Sequence, residues 1–261
     1  MHLQVLSSGS AGNSILLRHD EMNVLVDAGL PLRGLFERFE AARLAPQRVD
    51  HVVITHGHLD HARSAGAFSR RTRARVHCAL GLMRNRSIAG AHQTSVLPVN
   101  GTTELSTERN TSPIRVRTAA LSHDADPTVG LRFEADGRTA VILTDMGRPD
   151  PGVHASLSGA HLLVLEFNHD AHLLARGPYP PRLRARISGG RGHLSNEHAA
   201  TVLRELAGPE LHTLVLAHLS RRNNRPDLAL ASAHAALAAI GREDVRVLVA
   251  DQDEVGPNLS V

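Results

Sequence analysis

A single cysteine, Cys78, is all the thiol chemistry available to this chain of 261 residues. One thiol cannot close an intramolecular disulfide or build a cysteine-rich zinc cluster, so Cys78 reads as a small buried apolar residue. Lysine is missing altogether: all 29 basic residues are arginine, set against 26 acids. The resulting formal charge of +3 is too small for a protein that holds polyanions by bulk charge alone. Tryptophan is absent, and the aromatics reduce to Tyr179 and five phenylalanines, which argues against an extended base-stacking platform. No apolar run approaches the roughly 18 residues that a membrane span needs. The opening MHLQVLSSGS lacks the basic and apolar stretches of a signal peptide. A cytoplasmic location with no membrane partner is therefore expected.

Apolar residues make up 42% of the chain, enough for a proper core. The length suits one large α/β domain and also permits two small ones. Short apolar runs predict strands at 3–6, 15–18, 23–26, 52–55, 74–78, 95–99, 114–119, 129–134, 139–144, 162–166, 213–217 and 245–250. Helical spacing predicts helices at 32–44, 60–70, 196–206 and 226–240. Asp136-Gly137 is a two-residue hairpin signal. Strands meander, then alternate with helices, and the pattern repeats without a linker or composition break. The expectation is a layered sandwich of two sheets with outer helices, in one domain spanning 1–261.

Histidine is abundant, with 18 copies, and its placement is informative. Thr55-His56-Gly57-His58-Leu59-Asp60-His61 sets three imidazoles and a carboxylate within six residues, directly after an apolar strand. Those donor types suit divalent ions such as zinc or manganese, provided the chain turns sharply, a turn that Gly57 is expected to permit. Asp145, Glu166 and His218 each stand at the end of an apolar strand. Polar residues at the carboxyl ends of buried strands gather along one rim of an α/β sheet. His123 follows another strand, 22 residues before Asp145. Arginines bunch at Arg70-Arg71-Arg73-Arg75, at Arg182-Arg184-Arg186 and at Arg221-Arg222-Arg225. Each bunch is either a phosphate grip or a solvated surface. If nucleic acid binds, its backbone is what such arginines hold.

In chain order, Asp27 in Val26-Asp27-Ala28-Gly29, the stretch from His56 to His61, then His123, Asp145 and His218 resemble the motif series of the metallo-β-lactamase superfamily. The resemblance spans the whole chain. Narrower stretches resemble its YycJ/WalJ-type branch, related to ribonuclease Z: residues 6–14, Ser122-His123-Asp124-Ala125, Glu166-Phe167-Asn168-His169-Asp170, Gly192-His193-Leu194-Ser195-Asn196 and residues 217–224. The resemblance implies an αββα sandwich and a dinuclear metal-dependent exonuclease acting on DNA, favouring 5′ ends. It implies that His56, His58 and His123 hold one ion, that Asp60, His61 and His218 hold the other, and that Asp145 bridges them. Manganese, zinc and iron all suit such donors. A hydroxide shared between the ions would be the nucleophile. Asp27 is then a partner for the free N–H of a ligand imidazole, or a turn residue before Gly29.

A leaving-group acid is still needed. His193 resembles the corresponding histidine of ribonuclease Z relatives, with Glu166 to orient it, and His169 is an equal alternative as acid or phosphate donor. Ser195-Asn196 also reads as a helix cap. Ser8, Ser10 and Asn13 are expected to cradle a phosphate, although their stretch is equally compatible with a plain turn. Ser220, Asn223 and Asn224 offer a second phosphate-reading position ahead of the helix at 226.

Other activities share the fold that this resemblance implies. A glyoxalase II-type thioesterase carries an added helical domain, whereas only 43 residues follow His218. A β-CASP-type nuclease needs an inserted domain that the 73 residues from Asp145 to His218 cannot hold. Ribonuclease Z would show a long Gly/Pro-rich arm, and a secreted β-lactamase an export signal. Hydrolysis of a small ester, thioester or lactone, and RNA processing, stay open as alternatives. A metal-free scaffold is the reading from a different class, and the complete donor series argues against it.

Overall fold

The computed structural model describes residues 1–109 and 112–261. Its strands are β1 (His2–Ser7), β2 (Ser14–His19), β3 (Met22–Val26), β4 (His51–Val53), β5 (Arg75–Cys78), β6 (Gln93–Val96), β7 (Thr102–Leu105), β8 (Ile114–Ala120), β9 (Val129–Ala135), β10 (Arg138–Leu143), β11 (Leu162–Glu166), β12 (Thr213–Ala217), β13 (Arg246–Val249) and β14 (Leu259–Ser260). The helices are α1 (Leu32–Ala41), α2 (Leu59–Ala62), α3 (Ala65–Thr72), α4 (Pro151–Leu157), α5 (Ala171–Arg176), α6 (Pro181–Ser188), α7 (Asn196–Leu206) and α8 (Pro226–Ala238).

The strands form two seven-stranded sheets, ordered β14-β1-β2-β3-β4-β5-β6 and β13-β12-β11-β10-β9-β8-β7. In each, an antiparallel meander passes into parallel strands, at β3–β4 in the first sheet and β10–β11 in the second. Alternation along the meander strands supplies the reason for the layering. Leu3, Val5, Ile15 and Leu17 of the first sheet meet Val116, Leu131, Ile142 and Val164 of the second in a shared central core. The opposite face of the first sheet packs on Leu35, Phe39 and Phe68 from α1 and α3. That of the second packs on Val202, Leu203, Ala229 and Ala233 from α7 and α8. Two inner sheets covered by outer helices make the expected αββα sandwich.

The turn at Asp136-Gly137 has positive φ at both residues, 48° and 72°, as a two-residue type I′ hairpin requires. Two expectations change. The helix expected over 60–70 is two helices, α2 and α3, because Ser64 is tied across to the strand β3 exit: its N–H donates to Ala28 O at 2.9 Å and its hydroxyl to Leu30 O at 2.6 Å. Tertiary bonds thus override a continuous helical pattern. The strand expected at 95–99 is β6, ending before Pro98, which has no N–H to offer a ladder.

Candidate metal centre and active site

The parallel strands and β8 deliver their carboxyl ends to one rim, where the chain turns sharply. Asp27, Asp145 and His218, each just beyond its strand, sit at φ of 61°, 60° and 56°. Left-handed backbone is rare and strained for residues with a Cβ, and it collects at functional sites. Here it bends the chain off the strand ends β3, β10 and β12 and sends three polar side chains into one place. Gly57 does not take that conformation, although a Cβ there would stand 3.0 Å from the Asn85 and Leu82 side chains. The glycine the rim requires is Gly29, where a Cβ would fall 1.7 Å from Asp60 O. That close approach lets Asn13 N–H donate to Asp60 O at 2.7 Å, and Ala28 N–H to His61 O at 2.7 Å.

Donor atoms of His56, His58 and His123 lie within 4.8 Å of one another, and so do those of Asp60, His61 and His218. Asp145 groups at the same distance with His56 and His61, one from each set. Four of the five imidazoles share a wiring pattern. The Nδ1–H of His61 donates to Asp27 Oδ2 at 2.7 Å, and that of His218 to Glu166 Oε1 at 3.0 Å. The Nδ1–H of His123 donates to Gly192 O at 2.9 Å, and that of His56 to Thr55 Oγ1 at 3.1 Å. Each bond fixes a tautomer and leaves an Nε2 lone pair facing the centre. His58 is reversed: its Nδ1 faces His123 Nε2 at 3.3 Å.

These donors fit divalent ions on the structure's own terms. His56 Nε2 and His218 Nε2 are buried and make no hydrogen bond, and Asp145 Oδ2 beside them stands 2.9 Å from His61 Nε2. Orphaned buried polar atoms are costly, and here they converge. The charge balance agrees. Burial alone would lower His61, yet Asp145 and Asp27 beside it raise it to about 10. Burial likewise opposes the charged form of Asp145, but His218 and His61 hold its carboxyl well below the usual range. An ion held there would take the place of protons that those carboxylates otherwise draw onto the imidazoles.

Beside this centre is an open cavity of about 460 Å³ lined by Asp60, Asp145, His193 and His218, with Ser10 and Ser220 at its edge. Glu166, fully buried, anchors it from behind. Its Oε1 accepts from His193 Nδ1 at 2.8 Å as well as from His218, while Oε2 accepts from the N–H groups of Met146 and Leu194, both at 3.1 Å. Four donors on one carboxylate hold it ionised despite its burial.

A protein-family model described as "Beta-lactamase superfamily domain" matches residues 22–219. The chain belongs to this superfamily. Among relatives of the superfamily, it is 31% identical over 233 residues to "Exodeoxyribonuclease YycJ" of Bacillus anthracis, covering 88% of this chain and 86% of that protein. It is 31% identical over 228 residues to "Exodeoxyribonuclease WalJ" of Streptococcus pneumoniae, covering 86% and 84%. Of solved structures, the metallo-β-lactamase fold protein YhfI from Bacillus subtilis superposes with a TM-score of 0.72 at 16% identity, covering 97% of this chain and 98% of that one. Human tRNase Z, short form, gives 0.67 at 17% identity with full coverage of both chains.

The rim thus brings together the seven donors expected for a member of this superfamily, with Asp27 behind His61 and Glu166 behind His193 and His218. Other residues fall elsewhere. His169 is buried, does not line the cavity, and is lowered to about 4 by burial. Its turn pairs with Ser195 beside α7, so it does not face the cavity as His193 does. Ser8 is also turned inward: its Oγ accepts the His218 N–H at 2.8 Å and braces that strained turn. Asn13 is buried against Gly9, Asp60 O and His61 Nε2. Asn223 and Asn224 are buried, and Asn224 locks to Asn196 and Phe167 O. For Ser8, Asn13 and Asn224, loop-building bonds replace the phosphate contact expected of them, and Asn223 Nδ2 donates to Ser220 Oγ at 3.3 Å. Ser195 caps α7, accepting the His198 N–H at 3.2 Å.

Sequence reasoning gave no role to Asp124 and missed the apolar part of the cavity wall; Arg186 it had only as one of a bunch that is either a phosphate grip or a solvated surface. Asp124 Oδ1 lies 3.5 Å from His58 Nε2, and its Oδ2 accepts from Arg186 Nε. That bond to Arg186 holds the Asp124 carboxyl below its ordinary range. Its adjacency to His123 was the available signal. Of the three arginine bunches, the one on α6 reaches the cavity through Arg186, whereas Arg73 and Arg75 lie at the amino ends of the strands, near His51. Among the described residues no helix is long and apolar enough to cross a membrane.

Proposed function

We propose that this protein is a dinuclear metal-dependent phosphodiesterase that shortens linear DNA, acting from 5′ ends. The observation that carries the reading is Asp145, a buried carboxylate grouped with one imidazole of each donor set at the edge of a cavity that also presents an arginine. The names of the relatives, exodeoxyribonucleases at 31% identity over most of both chains, support DNA as the polymer.

Manganese, zinc or iron in the paired sites would supply a water of lowered pKa and positive charge for the phosphoryl oxygens. The chain's own residues do the rest. His56, His58 and His123 would hold one ion; Asp60, His61 and His218 would hold the other. Glu166 fixes His193 through Nδ1, which leaves Nε2 to carry a proton to the leaving oxygen. His193 is raised above its ordinary value, burial being outweighed by Glu166. Geometry therefore favours His193 over the buried His169 as the acid. Arg186 supplies a planar fork for a phosphate, and Ser10 and Ser220 supply hydroxyls.

The purified protein with Mn²⁺ should degrade linear duplex DNA from 5′ ends and spare closed circles. Asp60→Ala and Asp145→Ala should abolish this while circular dichroism shows an intact fold. Undiminished digestion by those variants would sink the two-ion reading. Cleavage of a lactone or thioester with DNA untouched would move the substrate to a small molecule.

A further inference from the structure

One wall of the cavity is α6 with the turn that leads into it. No residue of α6 is buried, although it carries aliphatic side chains. Leu183 and Ile187 stand four apart on α6, which puts them on one face of the helix; Tyr179 stands in the turn just before it, and all three line the cavity. The chain's sole tyrosine therefore stands at the reacting site. Four of the five phenylalanines are fully buried, and the fifth, Phe36, packs on Phe68. Tyr179 is thus the phenyl-type ring presented to a ligand. An apolar stripe does nothing for metal ions or phosphate oxygens. Beside it Arg186 is steered by its bond to Asp124, on the side of His58. One wall therefore offers a flat apolar strip and a phosphate fork together, the two chemistries of a nucleotide.

We propose that α6 is the platform for the base of the terminal nucleotide: Tyr179 stacks on its face, Leu183 and Ile187 extend the strip, and Arg186 takes a phosphate. This rests on the nucleic-acid reading above and adds which part of the polymer is held. Stacking on a π-face common to all four bases gives grip without sequence preference.

The test compares linear duplexes identical except at the digested end, which carries either an ordinary nucleotide or a tetrahydrofuran abasic analogue. Digestion is followed with Mn²⁺, and end binding by fluorescence anisotropy with Ca²⁺ in its place. On ordinary ends, Tyr179→Ala should weaken binding and raise KM by roughly 5- to 150-fold, the range for truncating a base-stacking aromatic, with kcat less affected. Tyr179→Phe should retain wild-type values. On abasic ends the wild type should fall to the level of Tyr179→Ala, and the variant should lose nothing further. Tyr179 is half-buried at the surface, and an unchanged melting temperature checks the fold. Equal behaviour of wild type and Tyr179→Ala on ordinary ends, or the same loss on both ends, overturns the platform while leaving the nuclease standing. A wild-type protein that shortens neither DNA overturns both.

Discussion

His61 and His218 hand their Nδ1 protons to buried carboxylates, Asp27 and Glu166, whereas His56 and His123 hand theirs to neutral oxygens, the Thr55 hydroxyl and the Gly192 carbonyl. The remaining donor of the first set, His58, faces a carboxylate, but Asp124 is 28% exposed and stands 3.5 Å away. A charge-assisted bond is about twice as strong as a neutral one, and it makes the imidazole a better ligand. Two donor sets on one rim are therefore built for different grip. The set of Asp60, His61 and His218 should hold its ion firmly, and the set of His56, His58 and His123 should exchange more readily. The set expected to be looser is the one tied through Asp124 and Arg186 to the cavity wall.

The largest effect should come from the residue common to both sets. Asp145→Asn replaces a carboxylate that groups with His56 and His61 by an amide with half the acceptors, and activity should disappear. Elemental analysis after dialysis should show both ions reduced. Full retention of one ion would show that Asp145 belongs to a single set. Next in size is Glu166→Gln. An amide cannot accept from His193 Nδ1, His218 Nδ1 and two backbone N–H groups at once, so His218 loses its tautomer. The firm site should weaken by about 10–100-fold, the usual effect of losing such a partner. Removing one side of a buried charged network also destabilises by about 3–5 kcal/mol, so the melting temperature of the apo protein should fall. If the first set weakened more than the second, the contrast drawn here would be reversed.

Much of this centre was legible in the sequence because its determinants are local. Four donors in six residues after β4 cannot be read as packing, and Asp145 and His218 betray themselves by following apolar strands. What stayed hidden depends on contacts between distant segments. His169 and His193 stand in similar polar contexts, and only the crossing of β11 with the start of α7 decides that one is buried and the other faces the cavity. Asn13, Ser8 and Asn224 look like ligand-reading residues by type, yet their bonds to Asp60, His218 and Phe167 were visible only once the loops had met. Helix α6 is short and buries no residue, so its two large apolar residues, Leu183 and Ile187, gave too little pattern to mark it. The scarcity of aromatics argues against a long stacking platform, and it has no bearing on a single base at Tyr179.

The smallest effect is the sharpest probe of the two anchoring schemes. Thr55→Val keeps the shape of the side chain and removes the hydroxyl that accepts from His56 Nδ1. The same hydroxyl donates to Asp27 at 2.9 Å, but Asp27 retains the Thr55 N–H and His61, so the second set should be nearly untouched. The first set should lose affinity at or below the low end of the tenfold-to-hundredfold range. Titrating the loaded wild type with a chelator should release its ions in two steps. In Thr55→Val the early step should move earlier and the late step stay in place; in Glu166→Gln the late step should move toward the early one. Release of both ions in a single step from the wild type would mean that Asp145 couples the sets so strongly that the chemistry of their anchors no longer distinguishes them.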